Sequence, residues 1–177
     1  PHIHTISRRQ RQMCIRDRSM VEIHNSVAKV YEENKETLEI FECLDEFSDT
    51  QNFCDHYGFD IEDSCNAILI KAKKPEEFYA MFCVLGANRL DVNHKAKEAM
   101  GAKRVSFASR EEAETVTGQI YGGISPLGLP ENIKVYIDKN VTDREKLFIG
   151  AGNRVSKFFL SPETLIQLSS ATVLDLT

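Results

Sequence analysis

Three features of this sequence predict an α/β domain of the mixed α+β kind, a mixed sheet with short helices outside it. Short apolar runs of strand length alternate with short capped helices along the whole chain. Two of those runs, 65–73 and Phe78–Leu85, are continuous and separated only by a Lys-Pro turn, as neighbouring buried strands are. Between the later elements lies one stiff Gly/Pro-rich crossing, 122–130.

In chain order, Asn25 or Ser26 is placed to cap a first helix with Val27, Val30 and Tyr31 on one face. Residues 38–44 alternate as a strand. Thr50 is expected to cap a short helix carrying Phe53, Cys54 and Tyr57, stopped by Gly58. After the two central strands, Asp91 opens a helix through Met100, closed by Gly101, and 104–107 form a short strand. Ser109 and Glu112 make a capping box for a helix to about Val116, and Gly118 ends it. A strand follows at 133–137. Thr142 and Glu145 read as a second capping box opening one or two turns. Strands 147–150 and 155–160 flank a Gly-Ala-Gly-Asn turn. Ser161 caps a last helix with Pro162 at its first position, and 173–176 form a final strand.

The first nineteen residues differ from the rest. Arg8, Arg9, Arg11, Arg16 and Arg18 form a basic stretch without periodicity, and no apolar core of a signal peptide is present. A basic nucleic-acid arm is one reading. The string 12–18 resembles translated sequencing-adapter sequence, so 1–19 is expected to be a non-native or disordered tail and 20–177 the domain. Of the 22 Lys and Arg and 27 Asp and Glu, the tail holds five and one, which leaves 17 against 26 and a net charge of −9. Such a domain does not attract nucleic acid by bulk charge, so an RNA contact needs a local patch. The candidate is the stretch 71–104, with Lys71, Lys73, Lys74, Lys95 and Lys103 in it, although Glu76, Glu77, Asp91 and Glu98 interrupt it and would suit an ordinary solvated surface.

Cys43, Cys54, Cys65 and Cys83 form no C-x-x-C pair, and His24, His56 and His94 are scattered. Reduced buried thiols and a cytoplasmic location are expected, with no metal and no cofactor; a redox or metal protein is the outlying alternative. No apolar run approaches the roughly 18 residues that span a bilayer, so no membrane partner is expected.

The segment 117–130 holds four of the nine Gly and two of the five Pro. Gly122 and Gly123 allow a left-handed backbone or a close approach, and Pro126 and Pro130 stiffen the loop. Bare N–H groups on a rigid loop can receive a developing oxyanion. A tight turn across a barrel mouth would use the same residues. No P-loop or dinucleotide fingerprint is present. A second exposed backbone stretch is Gly150-Ala151-Gly152-Asn153, with Ser156 behind it; alone it would read as a hairpin turn.

Taken together, Asp63-Ser64-Cys65-Asn66-Ala67-Ile68-Leu69-Ile70, Arg89-Leu90-Asp91-Val92-Asn93, Gly122-Gly123-Ile124-Ser125-Pro126-Leu127-Gly128 and Ile149-Gly150-Ala151-Gly152-Asn153, in this order, resemble the YbaK/EbsC family, the aminoacyl-tRNA synthetase-associated domain. The resemblance spans about 27–176. It implies a sheet curled into a partial barrel. It also implies trans-editing hydrolysis of mischarged aminoacyl-tRNA, such as alanyl- or cysteinyl-tRNA(Pro), with an aminoacyl-tRNA synthetase as a further partner. One residue departs from the pattern: active members carry a Lys where Asn66 stands. Lys71 is an odd number of residues away, hence on the other face of a strand. Two readings follow. In the first, the protein is a deacylase. The backbone of Gly122, Gly123 and Ile124 receives the carbonyl oxygen, Asn66 orients the amino acid, and Ser125, Pro126, Gly150, Ala151, Gly152, Asn153 and Ser156 close the pocket. In the second, a non-catalytic module binds an amino acid, a nucleotide or an aminoacyl-tRNA end.

Overall fold

The structure, a computed structural model, describes residues 21–177; the tail expected at 1–19 lies outside the described residues. The fold is mixed α+β, in two sheets. Helix α1 spans Asn25–Glu33 and strand β1 Glu39–Glu42. Helix α2 is Thr50–Tyr57, followed by the long hairpin of β2, Cys65–Lys74, and β3, Phe78–Leu85. A short α3, Lys97–Ala99, and β4, Arg104–Phe107, come next. Helix α4, Arg110–Thr117, leads into the Gly/Pro loop, and β5 is Lys134–Asp138. Strands β6, Leu147–Gly150, and β7, Ser156–Leu160, precede α5, Pro162–Ser169, and β8, Thr172–Leu174.

One sheet has the order β4-β2-β3-β5-β8, with the β3–β5 and β5–β8 pairs parallel; the other has the order β1-β7-β6, all antiparallel. A single parallel bridge, Ser64 to Phe148, joins β2 to β6 at the seam. Where the sequence leads us to expect one curled sheet, the described residues form two sheets meeting at that bridge and no closed barrel.

Alternation fixes what each face covers. Cys65, Leu69, Met81, Cys83, Ile149 and Phe158 face a central core that also takes Val27, Leu127 and Leu165. On the other face, Ile70, Phe82 and Val84 pack under Leu90, Ala96 and Met100. Phe148 and Phe159 pack with Phe53 and Cys54 of α2. Every one of the four cysteines at 43, 54, 65 and 83 is free and buried, as expected of small apolar side chains. No helix among the described residues is long and apolar enough to cross a membrane.

The caps correct several expectations. His24, not Asn25 or Ser26, caps α1: its Nδ1 accepts from the Ser26 N–H at 3.2 Å, doing one residue earlier what a Ser or Asn cap does. Asp49, not Thr50, caps α2, its Oδ1 accepting from Gln51 and Asn52 N–H. Asp91 opens a wider π turn, Val92–Ala96, before α3 begins. The second capping box does not form. A 3-10 turn, Lys139–Asp143, capped by Asp138, ends there instead, and Arg144 is drawn out of helical geometry to Asp63 at 2.8 Å. The box at Ser109 and Glu112 forms in full.

Candidate functional site

The two glycine stretches expected to form the pocket pack on one another. Gly152 N–H donates to Gly123 O at 2.7 Å, and Ile120 N–H to Gly152 O at 2.9 Å. Gly123 is buried, and a Cβ there would lie 1.8 Å from Asn153 O. The close approach that Gly123 permits is thus to the protein's own backbone rather than to a ligand. Its N–H is also taken, donating to Ile120 O at 3.0 Å. Gly122 is exposed, with φ of +91°. Among the described residues, the N–H groups of Gly122 and Ile124, on either side of Gly123, have no hydrogen-bond partner, as is also the case for Gly128 and Leu129 further along the loop.

The loop is stiffened from beneath by a residue the sequence did not single out. Buried Gln119 accepts from Ser125 N–H through Oε1 and donates from Nε2 to Leu127 O at 2.9 Å. Ser125 Oγ then accepts from Leu127 N–H. Ser125 and Pro126, expected to help close the pocket, are both buried and support the loop. Asn153 and Ser156 are likewise spent internally. Asn153 Oδ1 accepts from Ser156 Oγ at 2.7 Å and from Val155 N–H, and its Nδ2 donates to Glu22 O. Ala151 lies in the central core, and Gly152, with φ of +93°, backs onto His24.

Asn66 stands two residues from the seam bridge between the two sheets. It shares a strand face with Ser64, and Gly150 shares one with Phe148, the two residues of the seam bridge. Gly150 in turn is covered by the loop: a Cβ there would lie 2.5 Å from Ile124 O and 2.7 Å from Gly123 O. Asn66 is half-buried and accepts from Ser64 Oγ at 3.2 Å through Oδ1, which leaves its amide N–H groups without a partner among the described residues.

Two cations at this site escaped the sequence reading. Arg154 bonds Asp45 through Nε and sets Nη1 over Gly122, 2.4 Å from where a Cβ would stand. Lys157, the cross-strand partner of Gly150, is buried, its ammonium hydrogen-bonded to Ser48 O and 5.0 Å from the centre of the Phe53 ring. Burial lowers its pKa from the ordinary lysine value. A signal for Lys157 was present in the sequence: a lone cation in the otherwise apolar run of 155–160. Beyond it on the same sheet face, Phe41, Phe59, Phe148 and Phe159 line a cavity of about 320 Å3.

The lysine patch is not assembled as expected. Lys71 faces inward beside Tyr79 and pairs with Glu112 at 2.7 Å and Glu77 at 3.3 Å, which holds the Glu112 carboxyl down at about 2. Lys95 is tied to Asp175 and to Thr177 O, on the opposite face of the larger sheet. Both ammonium groups are already paired, because each lies within reach of a carboxylate. Lys73, Lys74 and Lys103 remain exposed, Lys103 N–H bonding Lys74 O.

Three of the buried thiols are held toward their neutral form. Burial pushes Cys54 up to about 11 and raises Cys43, and Cys83 is raised by its hydrogen bond with Cys65 and by burial. Among the described residues, no group of three His, Cys, Asp or Glu is placed to hold a metal ion. What the site offers is backbone N–H groups, an amide and two cations. Such a set suits binding and polarising a carbonyl rather than attacking it.

Comparison with known proteins puts these loops in context. Residues 45–168 match the aminoacyl-tRNA editing domain family. A putative Cys-tRNA(Pro)/Cys-tRNA(Cys) deacylase, EbsC, of Enterococcus faecalis is 29% identical over 92 residues, which cover 52% of this chain and 56% of that protein. A proline–tRNA ligase of Nautilia profundicola is 33% identical over 106 residues, 59% of this chain but 18% of the ligase. The matched stretch thus spans about half the length of the first relative and a small part of the second. The crystal structure of a putative trans-editing enzyme for prolyl-tRNA synthetase superposes with a TM-score of 0.74 at 22% identity, covering 88% of this chain and 99% of that one, a likeness of fold.

Proposed function

We propose, from the premise that this chain belongs to the aminoacyl-tRNA editing domain family, that it hydrolyses the ester joining a mischarged amino acid to the terminal ribose of a tRNA. One observation carries the reading: the two glycine loops lock together and leave the N–H groups of Gly122 and Ile124 without a partner among the described residues, with Arg154 set over Gly122. Water adds to the ester carbonyl carbon and negative charge gathers on the carbonyl oxygen. The carbon–oxygen bond to ribose then breaks, and the ribose hydroxyl leaves with a proton from the attacking water. Gly122 and Ile124 N–H meet the oxyanion. Gly123 positions them instead of joining them, because its own N–H is bonded. The Asn66 amide donates to the substrate without bringing a charge. Cysteinyl-tRNA(Pro) is the substrate to try first, since one relative is named for its deacylation and another for proline–tRNA ligation, and alanyl-tRNA(Pro) comes next from the family resemblance.

Radiolabelled alanyl-, cysteinyl- and seryl-tRNA incubated with the protein test this reading. Ester loss on at least one is expected. Binding without ester loss on all three would overturn it and leave a binding module.

A further inference from the structure

We infer that Lys157 is a positioning residue of this site, its buried ammonium holding the Gly122–Gly123–Ile124 backbone in place through Ser48. The inference rests on the deacylase reading for its kinetic test but not for its structural one.

Lys157 is 6% exposed, and its ammonium donates to Ser48 O at 3.0 Å. Ser48 is 2% exposed, and its Oγ donates to Gly122 O at 3.4 Å. One side of the loop is thus reached in two steps from the ammonium. The other side is reached through the sheet. Lys157 pairs with Gly150, and the carbonyls of Gly123 and Ile124 lie over Gly150, where any side chain would displace them. Phe41 stands across the strand from the lysine and Phe53 lies beneath its ammonium.

Stability alone gives no reason for a cation here. A buried charge costs free energy that a methionine of the same length would not, so an apolar residue would fill this space at least as well. What the ammonium adds is a charge-assisted hydrogen bond to a buried carbonyl, stronger than a neutral one. The groups facing it are Cys43 beyond β1, Asp49 and Cys54 of the α2 region, and Arg154 before β7. Burial raises both thiols and lowers the lysine, and Arg154 is paired with Asp45.

The test uses the full chain and the variants Lys157→Arg, Lys157→Met and Ser48→Ala. Backbone amide resonances of Gly122 and Gly123 are followed from pH 6 to pH 10 or so, and single-turnover deacylation of cysteinyl- and alanyl-tRNA(Pro) is measured alongside. In the wild type, both resonances should shift together in one titration below the ordinary lysine value of about 10.4. They should stay flat in Lys157→Arg and in Lys157→Met. Lys157→Met and Ser48→Ala should each lose roughly tenfold to a hundredfold in kcat with KM unchanged, the cost of misplacing a catalytic group by about 1 Å. Lys157→Arg should keep most of kcat and lose its fall at alkaline pH. Wild-type resonances that do not titrate, or that titrate equally in Lys157→Met, would overturn the inference, as would unchanged kcat in Ser48→Ala. If Lys157→Met does not fold, the arginine and Ser48 variants decide. If the wild type cleaves no ester, the proposed function fails, while the resonances still judge the role of Lys157.

Discussion

Replacing Gly123 by alanine should unfold the site before it touches the chemistry. A Cβ at this position lies 1.8 Å from Asn153 O and 2.3 Å from Asn153 C, so the Asn153 backbone has to move. That movement strains the contacts between the loops: Gly152 N–H to Gly123 O at 2.7 Å and Ile120 N–H to Gly152 O at 2.9 Å. Two hydrogen bonds at about 1 kcal/mol each, with about 1–3 kcal/mol of overpacking, give a loss of about 3–5 kcal/mol. For a domain of this size each kcal/mol is worth roughly 2–4 °C, so Tm should fall by roughly 6–20 °C. Gly101→Ala is the control. Its φ of +61° is also left-handed, but nothing lies within 4 Å of the added carbon. Only the backbone cost of about 1–2 kcal/mol applies, a drop of roughly 2–8 °C. Thermal unfolding followed by circular dichroism separates the two. Equal melting of the variants, or a Gly123→Ala protein as stable as wild type, would refute the packing argument. A bulky residue at Gly123 is for the same reason no test of catalysis.

Other outcomes follow from particular contacts. Glu112 is held at about 2, below its ordinary 4.5, first by its hydrogen bond to Lys71, so its stabilising effect is complete above about pH 4.5 and is lost as pH falls from there through 2. Glu112→Gln should flatten that part of a plot of Tm against pH; an unchanged acid limb would show that the pair contributes nothing. Gln119→Leu strands the Ser125 N–H and Leu127 O in the buried loop and should cost about 2–4 kcal/mol in urea unfolding, about 1–3 for each stranded group offset by apolar gain. Lys73→Gln with Lys74→Gln should weaken tRNA binding and lower the slope of log K against log salt by about 1.4–1.8, while hydrolysis of a small aminoacyl ester stays unchanged. An unaltered salt slope would remove that exposed corner from the tRNA footprint.

Much of the fold was legible because each signal was local. The β2–β3 hairpin announced itself as two apolar runs about a Lys-Pro turn, and Ser109 with Glu112 as a capping box. Where the reading failed, a neighbour far along the chain decided. Thr142 could not start a helix because Asp63, some eighty residues earlier, takes Arg144. Lys71 and Lys95 read as free cations because Glu112 and Asp175 are distant in sequence and adjacent in space. The candidate site shows the same division. Its glycines stood out by composition, but what they approach did not, since Gly123 meets Asn153 and Gly150 meets the loop itself. Lys157 looked like one polar residue in a strand, because nothing local says that its head is buried against Ser48.

Strand β1 has β7 as its hydrogen-bonded neighbour in the smaller sheet, and more than a hundred residues separate the two. A ribosome making this chain therefore releases Phe41, Phe53 and Phe59 long before Phe159 exists to complete their cluster. Until then β1 is an open strand edge beside an uncovered aromatic face, the kind of surface that associates with other nascent chains or with chaperones. Gly150 and Lys157 arrive in that same later segment, so the two glycine loops cannot meet before it emerges. A growing chain that already displays the Gly122 loop has no counterpart for it to rest on until residues 150–157 have been made.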